Sequence, residues 1–322
     1  MAKLTLSGLA SFVATYVDAA KQAGTWSGST DNLFRLQDKV GKQITIDGNF
    51  QDKLPELEGE DLPFGKTIEE FFVDLILPED YTAPVDGNDY GVTYHKPSVE
   101  DAAYSYTLGR KKLSTSRAFD DYERAALDAT EAGNMTAKIF ERLYQSESLY
   151  RYAQKKQLLA NVAAKARAAS NASTLVEELA VPTDTTTAEA FIKKVKECVE
   201  DASFANEGHN LGNCLIGEAP TLRLYIKKGV MPTVEVDALA GAFNSEKLAI
   251  PAEIKVVDDF GNDTNAWAML VDPRGVKLHN GYRAVRTDEH GEEDFVTQTL
   301  HSENTGFISK FTYVHVFDKP SE

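Results

Sequence analysis

The chain has 322 residues, 42% of them hydrophobic and 26% charged, with a formal net charge of −16. That length accommodates one large or two ordinary domains with a real core, and the acidic balance argues against a surface built to hold nucleic-acid phosphates. No apolar run approaches the ~20 residues of a membrane span, and the two cysteines, Cys198 and Cys214, are too few for disulfides to organise the fold.

At the start of the chain, Met1 to Leu9 lacks the charged, apolar, small-residue order of a secretion signal, so the chain reads as made in a reducing cytoplasm. Leu4 to Ala20 predicts a helix, with Leu9, Phe12, Val13, Tyr16 and Val17 in one pattern, and Gly24 to Thr30 a turn. Asp52 to Pro63 is acidic, carries two prolines and reads as an extended connector.

Lys66 to Arg117 is the oddest stretch. Phe71, Val73, Leu75 and Leu77 alternate with Phe72, Asp74 and Ile76, so one side of a strand would be the more apolar; Thr67 to Leu77 also suits a short helix, and strand is favoured. A turn-rich middle with Pro84, Asp86-Gly87, Gly91 and Pro97 follows. Tyr104, Tyr106 and Leu108 then predict a returning strand that ends in Arg110-Lys111-Lys112. An isolated ribbon is marginal in water. This one therefore either folds back on its own domain or lies against another molecule.

Ser116 to Glu131 predicts a short helix, and Asn134 to Ala172 a long one, free of Pro and Gly and rich in good helix formers. Asn134 is placed to cap it, and Met135, Ile139, Leu143, Leu149, Tyr150 and Ala153 trace its apolar stripe. At ~1.5 Å per residue it would be a rod of roughly 50 Å or more. Ser146 and Gln154 interrupt the stripe, so no coiled-coil heptad is sustained. The remainder is α/β: helix Ala188 to Asp201, strand Leu222 to Ile226, helix Val236 to Asn244, strands Ile254 to Val257 and Trp267 to Val271, and a turn at Pro273-Arg274-Gly275. Strands Phe295 to Leu300 and Phe307 to Phe317 close the chain, with Phe307, Phe311, Tyr313 and Phe317 on one face.

Candidate chemistry is sparse. Gly59 and Gly65-Lys66-Thr67 fail the phosphate-loop pattern, which needs four residues between its glycines where this chain has five. His279, His290, His301 and His315 are eleven or more residues apart, unlike helical metal ligands; His290 is expected in a surface turn over Thr287 to Asp294 and His315 in a structural role. Asp258-Asp259 and Asn262-Asp263 lack the register and closing Glu of a calcium loop, so a solvated turn is expected. Cys198 reads as a buried helix residue and Cys214 as a loop residue, neither flanked like a catalytic thiol. No catalytic, cofactor-binding or metal-binding residue is assigned.

Two segments carry a family resemblance. One is Gly65-Lys66-Thr67-Ile68-Glu69-Glu70 with Asp74. The other runs from Val236-Asp237-Ala238-Leu239-Ala240-Gly241-Ala242-Phe243-Asn244 through Val256-Val257-Asp258-Asp259-Phe260 to Leu270-Val271-Asp272, before an aromatic-rich β terminus. Together with the element order, they resemble the major capsid proteins of tailed bacteriophages, an α+β chain of the Hong Kong 97-type fold, in particular the phi 29-like short-tailed group.

The resemblance implies an N-terminal arm over 1–65, an extended loop (β hairpin) over 66–117 and a peripheral domain with the spine helix over 118–174. An axial domain over 175–275 and a β-rich return to the peripheral domain over 276–322 complete it. It implies a structural protein of the virion, made in the host cytoplasm, self-assembling into pentamers and hexamers of an icosahedral head around double-stranded DNA, without cofactor. Scaffolding and portal proteins are the implied partners, with DNA touched only weakly and no membrane. The negative charge agrees, since an inner wall that gripped DNA would hinder packing and ejection.

Some relatives add an immunoglobulin-like domain after the last strand, and none is expected where the sequence ends at Glu322. Lys96 and Asn304 are set aside as a Lys–Asn cross-link, because no residue marks a self-catalysed site. The alternatives are an encapsulin-like nanocompartment shell of the same fold, or an oligomeric α/β enzyme with a concave pocket of convergent polar groups.

Overall fold

The structure is a computed structural model and describes residues 50–62, 67–73, 99–104, 107–118, 129–219, 221–230 and 251–320. The helices expected at Leu4 to Ala20 and Val236 to Asn244, the turn at Gly24 to Thr30 and the turn-rich middle of the excursion lie outside those residues.

A 3-10 turn at Pro55–Leu57 leads to β1 (Glu58–Asp61), β2 (Ile68–Val73), β3 (Val99–Tyr104), β4 (Thr107–Ala118) and helix α1 (Ala129–Ala168). Then come α2 (Ala172–Leu175), β5 (Val176–Glu178), α3 (Thr185–Asp201), β6 (Arg223–Lys227), β7 (Glu253–Val257) and β8 (Ala266–Val271). A second 3-10 turn, Pro273–Gly275, opens onto β9 (Val276–His290), β10 (Phe295–Ile308) and β11 (Val314–Asp318).

Several expectations shift. The acidic connector contains β1, which pairs parallel with β9 at Glu58↔Leu278 and Asp61↔Asn280. Gly59 permits that approach, because a Cβ there would sit 2.5 Å from His279 Nδ1. The long helix begins at Ala129, so Gly133 and Asn134 are interior and Asn134 is no cap. Ser116 lies within β4, which runs to Ala118, so no helix starts there, and residues 119–128 lie outside the described residues. Of the polar stretch Thr287 to Asp294, expected as a surface turn, the part up to His290 continues β9, leaving Gly291 to Asp294 for the turn. The expected strand from Phe307 to Phe317 breaks between Ile308 and Val314.

Strands β1, β9, β10 and β4 lie in that order in one sheet, and β5, β11, β8, β6 and β7 in another. Contacts divide the chain into two compact units. Among the described residues, the first holds 50–52, 109–118, 129–151 and 282–303. Within it, Ser116 and Thr297 hydroxyls bond at 2.9 Å, and Arg283 donates to the buried Glu147 at 2.5 Å while lying 4.9 Å over the Tyr144 ring.

Among the described residues, the second unit holds 53–62, 67–73, 99–104, 107–108, 152–219, 221–230, 251–281 and 304–320. Its five-stranded sheet pairs β11 with β8 and β8 with β6 antiparallel, and β5 with β11 and β6 with β7 parallel. Every residue of β8 and of β11 is buried, as expected for strands covered on both faces. Helix α3 covers one face because Ala188, Phe191, Ile192, Val195 and Cys198 recur at helical spacing. Phe191 lies 4.8 Å from the Trp267 ring and 5.5 Å from that of Phe317. Asp184 starts the helix by accepting the Thr187 N–H at 2.8 Å. The C-terminal strand β11 thus belongs to the same sheet as β6, β7 and β8, and strand pairing ignores the boundary expected at residue 275.

Candidate functional site

The excursion does begin and end as a ribbon. β2 and β3 pair antiparallel from Ile68↔Tyr104 to Val73↔Val99, which settles the strand-or-helix alternative for residues 68–73. Burial along β2 alternates, as a pleated strand with one covered face requires.

The covered face carries Ile68, Glu70 and Phe72. Phe72 stacks on Phe311 with centroids 4.8 Å apart and planes within 9°, and it packs against the core of the second unit. Glu70 accepts from Ser309 Oγ at 2.5 Å and from Tyr104 Oη at 3.1 Å. Tyr104 Oη also accepts the Lys310 N–H at 3.1 Å, and its ring meets Phe307 edge-on at 5.2 Å. Burial, reinforced by the Glu70 charge, pushes the Tyr104 phenol well above its usual range, so it stays a neutral donor. The segment 307–311 between β10 and β11 is thus the seat of the ribbon's root.

The opposite face is bare: Phe71 is 69% exposed and Val73 44%. This is the side that alternation marks as the more apolar, so the face read from sequence as core-seeking finds no cover among the described residues. Residues 74–98, with Leu75, Leu77 and Lys96, lie outside them. Asn304 is fully buried and donates to Gln154 Oε1 at 2.7 Å, a structural bond at a position that also interrupts the apolar stripe of α1.

The expected solvated turn over residues 258–263 is a turn, but its carboxylates clasp α1. Asp258 accepts from Tyr152 Oη at 2.7 Å and Lys156 Nζ at 2.9 Å, and Asp259 from Lys156 at 2.9 Å. Arg167 bridges Asp263 and Asp318, with its shortest bonds at 2.6 Å. Burial alone would raise the Asp258 carboxyl, yet the bonds from Lys156 and Tyr152 outweigh it and hold it at about 2.

The four late histidines go to separate places. His279 bonds the Glu60 carbonyl at 3.0 Å, and His290 stacks on Phe295 at 4.5 Å. His315 is buried against Phe317 and His209 and lies 3.5 Å from Glu177. His301 lines a groove on the other unit. Among the described residues, no group of three or more His, Cys, Asp or Glu is placed to hold a metal ion. Cys198 and Cys214 are both buried and outside any disulfide, and burial pushes the Cys198 thiol up to about 12, far from a reactive thiolate.

A family model for Phi29-like phage major capsid protein matches residues 14–317. Among solved structures, a chain of the Staphylococcus phage Andhra capsid matches with TM-score 0.65 at 11% identity, over 87% of each chain. A chain from a structure of the head fiber and inner core protein of native bacteriophage P68 gives TM-score 0.67 at 12% identity, over 87% of this chain and 88% of that one. A chain of Mycobacterium phage Bobi gives 0.55 at 11%, over 87% and 94%. At such identities the likeness is one of fold. No curated protein matches the chain.

Proposed function

This chain belongs to the family of Phi29-like phage major capsid proteins, structural proteins of the bacteriophage virion, and from that premise we propose that its copies close into pentamers and hexamers of an icosahedral head around double-stranded DNA. The observation that carries the reading is the ribbon: rooted on its own subunit through Phe72, Glu70 and Tyr104, it presents Phe71 and Val73 to solvent on the other side. A rooted strand pair with a bare apolar face is stable when a neighbouring copy supplies the missing cover. Many modest contacts of this kind add up once a closed lattice forms.

On this reading residues 66–117 form the extended loop over a neighbour. The unit with the five-stranded sheet takes the axial role, with β11 counted in it, and the unit with β4 and the β9–β10 hairpin the peripheral one. Scaffolding and portal proteins are further partners, and no catalytic residue, cofactor or metal takes part. The family match favours a phage head over a nanocompartment shell or an oligomeric enzyme.

Electron microscopy of the full chain, expressed alone and with a scaffolding protein, tests the proposal. Shells, or rings of five or six, are expected; a stable monomer with a ligand-filled cleft overturns it. Replacing residues 78–98 by a short Gly/Ser link, which spares β2 and β3, should leave a folded subunit that forms no shells.

A further inference from the structure

A second surface is left without partners among the described residues, and it is charged rather than apolar. Arg110, Lys111 and Lys112 of β4, Arg286 of β9 and His301 of β10 line an open groove of about 460 Å³. Arg110 lies 4.1 Å from the Tyr282 ring centroid, a contact that positions its guanidinium without neutralising it. Among the described residues, no carboxylate forms an ion pair with Arg110, Lys111, Lys112 or Arg286. In a chain of net charge −16, such a cluster of uncompensated cations calls for an anionic occupant.

The same unit carries the complement. The turn between β9 and β10 and the strand before it expose Asp288, Glu289, Glu292, Glu293 and Asp294. None of these five is ion-paired among the described residues. Asp294 sits in the left-handed region at φ 51°, and His290 stacks on Phe295 across the hairpin end, so the carboxylates are borne on a formed tip. At ~3.3 Å per residue, the end of β9 at His290 lies roughly 13 Å along the strand from Arg286, and the turn bearing Glu292 and Glu293 lies beyond it.

We propose that the groove receives a second copy of this chain: the acidic β9–β10 tip of one copy seats in the basic β4 groove of the next. The inference rests on the shell-forming reading and adds a contact to it. Two different patches meet, so the contact is heterologous and closes into rings or extends through a lattice. Its charges set register and association rate, and it weakens with salt because exposed charges are screened over a Debye length.

The test uses the full chain under conditions in which the wild type forms shells. K111E/K112E/R286E reverses the groove, and E289K/E292K/E293K the tip. Each set should lower shell yield by about tenfold or more, an effect of ~1.4 kcal/mol per contact, and the combined set should restore it. Circular dichroism should be unchanged throughout, because all six side chains are exposed.

Normal assembly by either set alone, or failure of the combined set, overturns the proposal. So does a groove reversal that leaves shell number intact but lowers DNA content, which would make the groove a phosphate site. A second readout needs no shell. In low-salt sedimentation the groove-reversed and tip-reversed chains should associate when mixed, and neither should do so alone. Association of that mixture without wild-type shells would sink the shell reading and keep the contact; wild-type shells indifferent to charge reversal would sink the contact alone.

Discussion

Strands β2 and β8 are both six residues long and both carry large apolar side chains, yet those side chains meet opposite fates. In β8, Ala266 to Val271 are all buried, with Trp267 against Phe191 and Phe317 and its Nε1 donating to the Leu179 carbonyl at 3.0 Å. In β2, Phe72 is seated and Phe71 is bare, though the two are adjacent and identical in kind. The difference lies in what the rest of the chain supplies. The second unit brings α3 and both neighbouring strands to β8, whereas it covers the ribbon on one face, through the segment 307–311 and the edge of the core against which Phe72 packs. A strand with one satisfied and one unsatisfied apolar face is finished by something other than its own subunit.

The comparison is broken most severely at its well-covered end. Trp267→Ala should destabilise the subunit by roughly 3–5 kcal/mol, since it opens a cavity and leaves the Leu179 carbonyl without its donor. Urea unfolding followed by circular dichroism would read that loss, and a change under ~1 kcal/mol would mean that the sheet is not the stability core. The two phenylalanines of β2 sharpen the contrast. Phe72→Ala should cost about 1–2 kcal/mol, less than a fully buried ring because it is only partly covered. Phe71→Ser should move stability by no more than about 0.5 kcal/mol, yet reduce shell yield in the electron microscope. Equal effects of the two on unfolding would remove the distinction between root and free face.

The legible part of this chain was the part whose cover is hydrophobic and local. Phe191 and Val195 announce the buried side of α3 by spacing, with Val199 on the same stripe only half-buried, and β8 announces itself as a continuous apolar run. The buried side of α1 did so only in part, with Leu143 buried as its stripe predicts. Leu149 and Ala153, expected on its apolar stripe, are exposed, while Glu147, Gln154, Lys155 and Lys156 are buried. Their burial depends on partners far off in sequence: Arg283 for Glu147, Asn304 for Gln154, Leu54 and Glu58 for Lys155, and Asp258 with Asp259 for Lys156. Hydropathy cannot register a charge whose counter-charge lies a hundred residues away.

The ribbon was legible as a strand pair but not in the sense of its faces. Phe72 gains its cover from Phe311, and nothing near either residue signals that pairing. The basic groove was half legible, since Arg110-Lys111-Lys112 stands out as a run, but Arg286 and His301 join it only through the sheet.

A modest, pH-dependent effect is expected at the turn that clasps α1, and it separates electrostatic cover from the apolar cover of β8. Asp258 has a usual carboxyl value of 3.8 and is held at about 2 in the folded chain. Between those values the unfolded chain binds more protons than the folded one, so stability must fall as pH falls. The contribution is intact above about pH 4 and gone below about pH 2. Since the Asp258 side chain is 43% exposed, solvent screening cuts the full conversion of the shift to roughly 1 kcal/mol or less. Urea midpoints measured between pH 5 and pH 2.5 should therefore drop less in Asp258→Asn than in the wild type, with the variant already weaker at pH 5. Trp267→Ala should show the wild-type slope, because apolar cover does not titrate; identical slopes in Asp258→Asn and the wild type would mean that Lys156 and Tyr152 do not hold this carboxylate in solution.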